Sequence, residues 1–246
     1  MIYSSILENL KSGKIFAILV DPDKHDRTSI GTIGKTAVGI VDFILVGGSH
    51  VSGSVDETVQ MLKDNTDLPV ILFPGNVLQI SASADGILLL SLISGRNPEF
   101  LIGNHVIAAP VLRKTRLEII PTGYILVENG RTTSVEYMSN TKPIPADKID
   151  LAIATAMAGE MLGHKLIYLE AGSGARENVN AEMIHEVKSH INIPLIVGGG
   201  IHSPEQIMET YQAGADIIVI GSAIERGQEA LNSLLGSVAE IKKELS

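Results

Sequence analysis

The sequence predicts a single α/β domain of the TIM (β/α)8-barrel class over residues 1–246, with a short or missing third helix. Three observations carry that prediction. Short runs rich in Ile, Leu and Val recur along the chain, helix-length segments separate most of them, and glycines cluster directly after several runs. The runs show no clean polar alternation, which suits strands covered on both faces, as in a parallel sheet. Eight such strands with intervening helices in 246 residues fit the barrel.

In chain order the predicted strands are IFAILV (15–20), VDFILV (41–46), PVILF (69–73), GILLL (86–90), LEII (117–120), KLIYLE (165–170), PLIV (194–197) and DIIVI (216–220). About a dozen residues, PGNVLQISASAD, separate the third and fourth strands, too few for a full covering helix. After LEII, the stretch PTGYILVENGRTTS predicts a β-hairpin, with ENG as the turn between YILV and TTSVEY. Pro145 and Asp147 open a helix that Gly163 ends. Ser203, Pro204 and Gln206 predict a capped helix stopped by Gly214. Leu231, Leu234, Leu235, Val238 and Ile241 have helical spacing in the last segment. A faint internal echo links VDFILVGGS to ADIIVIGSA, from half-barrel duplication or from shared strand chemistry.

Composition narrows the chemistry. The formal net charge is −9 and no dense Lys/Arg run occurs, which argues against nucleic-acid binding and an electrostatic membrane anchor. With no cysteine, disulfides, thiolate metal sites and Cys nucleophiles are excluded. No stretch reaches the roughly 18 apolar residues of a membrane span, and the first residues lack a signal-peptide core, so a cytoplasmic protein is expected. An acidic chain with an anionic substrate must supply positive potential locally, from a metal or from backbone N–H groups.

Such groups cluster at the carboxyl ends of the predicted strands. The stretches VGGGI and IGSAIE follow the seventh and eighth strands, where barrels commonly bind phosphate. Glycines allow close backbone approach and aim N–H groups at an anion. Gly199, Gly200, Gly221 and Ser222 are the candidates, against the simpler reading of tight turns. The sixth strand ends in YLEAGSGA. Tyr168 and Glu170 are two apart and share a face, and Glu170 can serve as a base or hydroxyl acceptor. Ser173 and its neighbours could hold phosphate, or the stretch could be a solvated strand end. Asp21 closes the first strand and VGGS the second, so Asp21 and Ser49 can lie close together and suit Mg2+, which takes hard oxygen ligands and keeps water. A calcium loop starting at Asp21 fails, because Asp26 and Thr32 stand where Gly and Glu are needed. Asp23 and Asp26 are expected to cap or solvate the turn into the next helix, and His25 and His50 to be surface histidines.

Taken in order, LVDPDK, VGGS, YLEAGSGA, VGGGI and IGSAIE resemble the geranylgeranylglyceryl phosphate synthase family over nearly the whole chain. The short third unit fits that family too. The resemblance implies transfer of a geranylgeranyl group from its diphosphate to the C3 hydroxyl of sn-glycerol 1-phosphate, with Mg2+. It implies Asp21 and Ser49 as metal ligands. It implies that Tyr168, Leu169, Glu170, Ala171, Gly172, Ser173 and Gly174 line the glycerol phosphate, with Gly199, Gly200, Gly221 and Ser222 on its phosphate. Some relatives carry a lysine two residues before the first Asp; here that residue is Leu19. The pattern is closer to the larger, archaeal-type subgroup, often dimers or hexamers, so a homo-oligomer is expected. Leu88, Leu90, Leu92 and Ile93 are candidates for a prenyl groove and equally suit ordinary core. Two rivals stay open at this point: another phosphate-binding barrel, such as an isomerase or flavin enzyme, and a catalytically silent barrel.

Overall fold

The computed structural model describes residues 1–49, 51–221 and 227–245. Its strands are β1 (Ile15–Val20), β2 (Phe43–Val46), β3 (Val70–Leu72), β4 (Gly86–Leu92), β5 (Glu118–Leu126), β6 (Leu166–Glu170), β7 (Leu195–Gly198) and β8 (Ile217–Ile220). They follow one another in sequence order in a closed barrel. The chain divides into two compact units: Met1–Leu88 with Ile107–Ile119 and Ile220–Ser246, and Leu89–Val106 with Ile120–Val219. Among the described residues no helix is long and apolar enough to cross a membrane.

In the first unit β1, β2 and β3 pair in parallel, Leu19 opposite Leu45 and Leu45 opposite Ile71. Phe16, Ala17, Ile18 and Val20 are all buried, as are all four residues of β2, so these strands are covered on both faces. The cover comes from α2 (Arg27–Ala37), α3 (Val55–Lys63) and α9 (Gln228–Glu244). Leu231, Leu234, Leu235, Val238 and Ile241 form the buried stripe of α9. At the chain's start, α1 (Ile2–Asn9) is seated on the Glu118 carboxylate, which accepts the N–H groups of Ile2 and Tyr3. A negative group at a helix N-terminus meets its dipole and its unpaired donors.

No helix lies between β3 and β4, as the short PGNVLQISASAD segment predicts. Side chains hold this segment instead. Ser83 donates to the Asp56 carboxylate in the first turn of α3 at 3.0 Å, and Ser81 donates to the same oxygen. Gln79 is buried and works on the loop after β2, as described below.

The second unit holds β6, β7 and β8 in parallel register, with α5 (Ser134–Ser139), α6 (Ile149–Met161), α7 (Ala181–His190) and α8 (Pro204–Gln212). The Ser203–Gln206 capping box forms as predicted. The buried face of α6 is made of Ala152, Ala156 and Gly159. A Cβ at Gly159 or Gly123 would press on the same Ile93 and Ile167 side chains, so small residues let this helix approach the sheet closely.

The predicted hairpin after LEII is not present. Residues 117–126 do not break at Ile120, and β5 continues through Pro121 to Leu126. Within TTSVEY a helix starts at Ser134: Thr133 caps α5 by accepting the N–H of Glu136 at 3.3 Å. Gly130 does turn the chain, at φ 82°, but Thr133 and Glu136 form a helix start where a return strand was expected.

The two echoed stretches share a device at their starts. Asp42, just before β2, accepts the Phe16 N–H at 2.8 Å and the Lys242 ammonium at 2.7 Å. Asp216, just before β8, accepts the Leu195 N–H at 2.8 Å and Lys188 at 2.6 Å. Asp85, before β4, likewise takes the Val70 N–H at 2.9 Å and Lys63. Asp85 and Asp216 each tie the start of the preceding strand to the helix that leads into it, whereas Asp42 ties β1 to the last helix, α9. The repeated chemistry therefore braces the amino-terminal ends of strands, where barrels keep stability rather than catalysis.

Candidate functional site

Candidate groups stand at the carboxyl ends of strands in each unit. In the first, Asp21 follows β1. Its Oδ1 accepts the N–H of Asp23 at 3.0 Å, and its Oδ2 lies 3.8 Å from the Lys24 ammonium. The loop after β2 comes beside it: a Cβ on Gly48 would fall 3.0 Å from Oδ2 of Asp21. Gly48 thus keeps open the space next to the carboxylate and puts the adjoining Ser49 in the same region. Asp23 does not cap α2. Its carboxylate accepts the N–H groups of Ser52 at 2.8 Å and Gly53 at 2.6 Å, clamping the loops after β1 and β2 together. Asp26 does cap α2, accepting from the Ser29 N–H and hydroxyl, which hold its carboxyl below the usual range.

Sequence reasoning missed Gln79. Its amide donates to the Gly48 carbonyl at 2.8 Å and accepts from the Gly75 N–H at 3.1 Å and the Gly48 N–H at 3.4 Å. This side chain grips both polar groups of Gly48 and fixes the peptide beside Asp21. The helixless stretch was visible in the sequence, but nothing marked the Gln within it as the fastening. Among the described residues no cluster of three or more His, Asp or Glu side chains could hold a metal. A Mg2+ site here would have the donor set the sequence suggests: one carboxylate, a hydroxyl or carbonyl, and waters, which fits the ion. Gly221 sits near β1, where a Cβ would lie 3.4 Å from the Leu19 carbonyl. Ser222 and His50 lie outside the described residues. A cavity of about 750 Å3 in this unit, lined in part by Lys63, Asp85, Arg116 and Glu118, opens among strand starts instead, and the Asp85 and Glu118 carboxylates hold backbone N–H groups.

In the second unit β6 delivers Tyr168 and Glu170 to one side, as their spacing predicts. The Tyr168 hydroxyl donates to Glu170, and the Gly172 N–H donates to Oε1 at 2.7 Å. Burial pushes the Glu170 carboxyl up to about 7, and these two donors only partly oppose it. Tyr124 on β5 stacks against Tyr168 with ring centroids 5.3 Å apart, and burial beside Glu170 raises both phenols. Leu169 alternates to the opposite side and is fully buried. Ala171 and Gly172 are buried, and Ser173 and Gly174 are exposed. Leu88 and Leu92 belong to the core of their respective units.

The three glycines at the end of β7 and just beyond it each make room for something. A Cβ on Gly198 would fall on the Tyr168 hydroxyl, one on Gly199 on the Glu170 carboxylate, and one on Gly200 on the backbone of Glu177. Gly199 and Gly200 also have φ of 80° and 71°, in the left-handed region. Gly198 was passed over in the sequence because only its neighbours were weighed as phosphate donors. Its absent side chain is what lets Tyr168 reach Glu170.

A family model described as the PcrB family matches residues 8–240. The chain belongs to the PcrB family. A family relative named geranylgeranylglyceryl phosphate synthase, from Spirosoma linguale, is 52% identical over 236 residues, covering 95% of each chain. A solved structure described as wild-type GGGPS from Thermoplasma volcanium superposes with a TM-score of 0.93 at 39% identity, covering 100% of this chain and 99% of the other. The (S)-3-O-geranylgeranylglyceryl phosphate synthase of Thermoplasma acidophilum, solved with its substrate sn-glycerol-1-phosphate, gives 0.92 at 36% identity over 98% of each chain. These likenesses to PcrB-family members span the whole barrel, including the helixless connection between β3 and β4.

Proposed function

We propose that this chain is a Mg2+-dependent geranylgeranylglyceryl phosphate synthase, transferring the prenyl group of geranylgeranyl diphosphate to the C3 hydroxyl of sn-glycerol 1-phosphate in ether phospholipid biosynthesis. The observation that carries this reading is the seating of Glu170: a buried carboxylate, poised near pH 7, beside a glycine loop in a chain closely related to an enzyme solved with sn-glycerol-1-phosphate.

In this reading Tyr168 through Gly174, with Gly199, Gly200, Gly221 and Ser222, receive glycerol phosphate. Leu169 contributes its backbone, since its side chain belongs to the core. The glycerol C3 oxygen forms a bond to the prenyl C1 as the bond from C1 to the diphosphate oxygen breaks. The diphosphate leaves with that electron pair, and the hydroxyl proton passes to Glu170. A base with a pKa near the working pH accepts and releases a proton readily. Tyr168 holds the carboxylate in place through its hydroxyl. Asp21 and Ser49 would hold Mg2+, whose chemistry is to neutralise charge on a diphosphate leaving group. Cytoplasmic location and homo-oligomeric assembly belong to the same proposal. The family resemblance supports both, and the exposed Val106, Ile107 and Val111 on helix α4 (Asn104–Leu112) support the second.

The test is incubation with sn-glycerol 1-phosphate, Mg2+ and a series of prenyl diphosphates, followed by mass analysis. The expected product is geranylgeranylglyceryl phosphate, lost when Mg2+ is chelated. A preference for glycerol 3-phosphate, or no product with any donor, would overturn the assignment.

A further inference from the structure

The loop after β5 grips the loop after β6. Asn129 is 9% exposed, and its amide donates to the Ala171 carbonyl. Two residues on, the Arg131 guanidinium donates to the Gly174 carbonyl. The methyl of Thr133 occupies the space a Cβ on Gly172 would need. The gripped loop is unusual backbone, with φ of 99° at Gly172 and 68° at Gly174. Its third carbonyl, that of Gly172, accepts the Ala175 N–H at 3.1 Å. So the carbonyls of Ala171, Gly172 and Gly174 are all occupied by donors from the protein.

Peptide orientation decides whether such a loop attracts or repels an anion. A concave run of N–H groups binds phosphate, whereas a carbonyl turned toward it repels the charge. Asn129 and Arg131 fix two of these peptide planes from outside the loop. Arg131 also brings a full positive charge to an acidic protein's candidate phosphate loop. Orientation of Asn129 is set by its partner: Ala171 offers a carbonyl, so the Nδ2 end must face it, and among the described residues Oδ1 has no hydrogen-bond partner.

We infer that Asn129 and Arg131 are positioning residues for glycerol phosphate, holding the Ala171 and Gly174 carbonyls away from the phosphate and a cation beside it. This rests on the proposed function. The experiment compares wild type with Arg131→Ala, Arg131→Lys and Asn129→Ala, measuring KM for each substrate, binding of sn-glycerol 1-phosphate alone by calorimetry, and melting temperature. Arg131 is exposed, so its variants are expected to fold normally even if Asn129→Ala does not. Arg131→Ala should raise KM and Kd for glycerol phosphate about tenfold while KM for the prenyl diphosphate stays within about twofold. Arg131→Lys, which keeps charge and a donor, should recover most of that loss. Arg131→Ala with an unchanged glycerol phosphate KM, or with both KM values raised alike, would overturn the clasp alone. A wild-type protein that neither binds nor converts glycerol 1-phosphate would overturn the functional reading, and the clasp's substrate with it.

Discussion

Two carboxylates end strands in the two units, and their surroundings differ. The Asp21 side chain is 18% exposed and has an ammonium group 3.8 Å away. Glu170 is 6% exposed, and burial lifts its carboxyl to about 7. A half-buried carboxylate with room beside it suits a hard cation that keeps its own waters. A desolvated one near neutrality suits proton transfer. The two units share one device nonetheless. In each, a neutral amide from a neighbouring loop fastens a glycine-rich loop: Gln79 on Gly48, and Asn129 on Ala171. The comparison separates what varies, the solvation of the acid, from what is common, the rigidity of the loop beside it.

Replacing Glu170 should break the comparison most sharply. Its folded-state pKa is raised from 4.5 to about 7, so the folded protein holds this proton more tightly than the unfolded chain. The native state therefore loses stability as pH rises from about 4.5 to 7, and the whole penalty is present above 7. It is on the order of 3 kcal/mol. Glu170→Gln removes the charge and keeps an acceptor for the Gly172 N–H. Turnover should fall roughly a thousandfold. The melting temperature at about pH 8 should rise by several degrees, with little change near pH 4. Equal melting curves at both pH values would show that burial does not strain this carboxylate, and unchanged turnover would remove its role as base.

Asp21→Asn tests the other side. Turnover should drop about a hundredfold and the Mg2+ concentration for half-maximal rate should rise, with the melting temperature within a degree or two, because this side chain braces little of the core. Gln79→Leu should shift the Mg2+ requirement in the same direction by roughly tenfold and also cost about 1 kcal/mol, since it strands the half-buried polar groups of Gly48 and Gly75. A variant of Asp21 with wild-type Mg2+ dependence would move the metal elsewhere.

The barrel, and the side-by-side placing of Tyr168 and Glu170 in the candidate site, were legible in the sequence for physical reasons. Strand cores such as IFAILV are buried on both faces, which leaves no alternation to misread, and the missing helix announced itself by length. Tyr168 and Glu170 were found by the two-residue period of a strand. What escaped were side chains acting on backbone at a distance. Gln79 and Asn129 carry no charge and stand in no periodic pattern. Asn129 was hidden by its own neighbour: Asn-Gly is a strong hairpin signal, and here it serves a loop that leads into a capped helix. Asp23 was assigned to the wrong partner because a local cap was the nearest use for it, whereas Ser52 and Gly53, nearly thirty residues on, take its oxygens.

The smallest expected effect tests how Glu170 is tuned. The Tyr168 hydroxyl donates to the carboxylate and opposes the rise that burial causes. With Tyr168→Phe that donor is lost, the Gly172 N–H remains, and the charged form of Glu170 loses about 1 kcal/mol of support. The acid limb of the pH–rate profile should then move upward by roughly 0.7 of a pH unit. Near pH 7 the rate should fall about two- to threefold, recovering on the alkaline plateau. Phe fits the space beside Gly198, whose missing side chain accommodates the hydroxyl, so the fold should persist. A plateau depressed tenfold or more with an unmoved acid limb would mean that Tyr168 acts on the substrate directly, and that burial alone sets the Glu170 proton affinity.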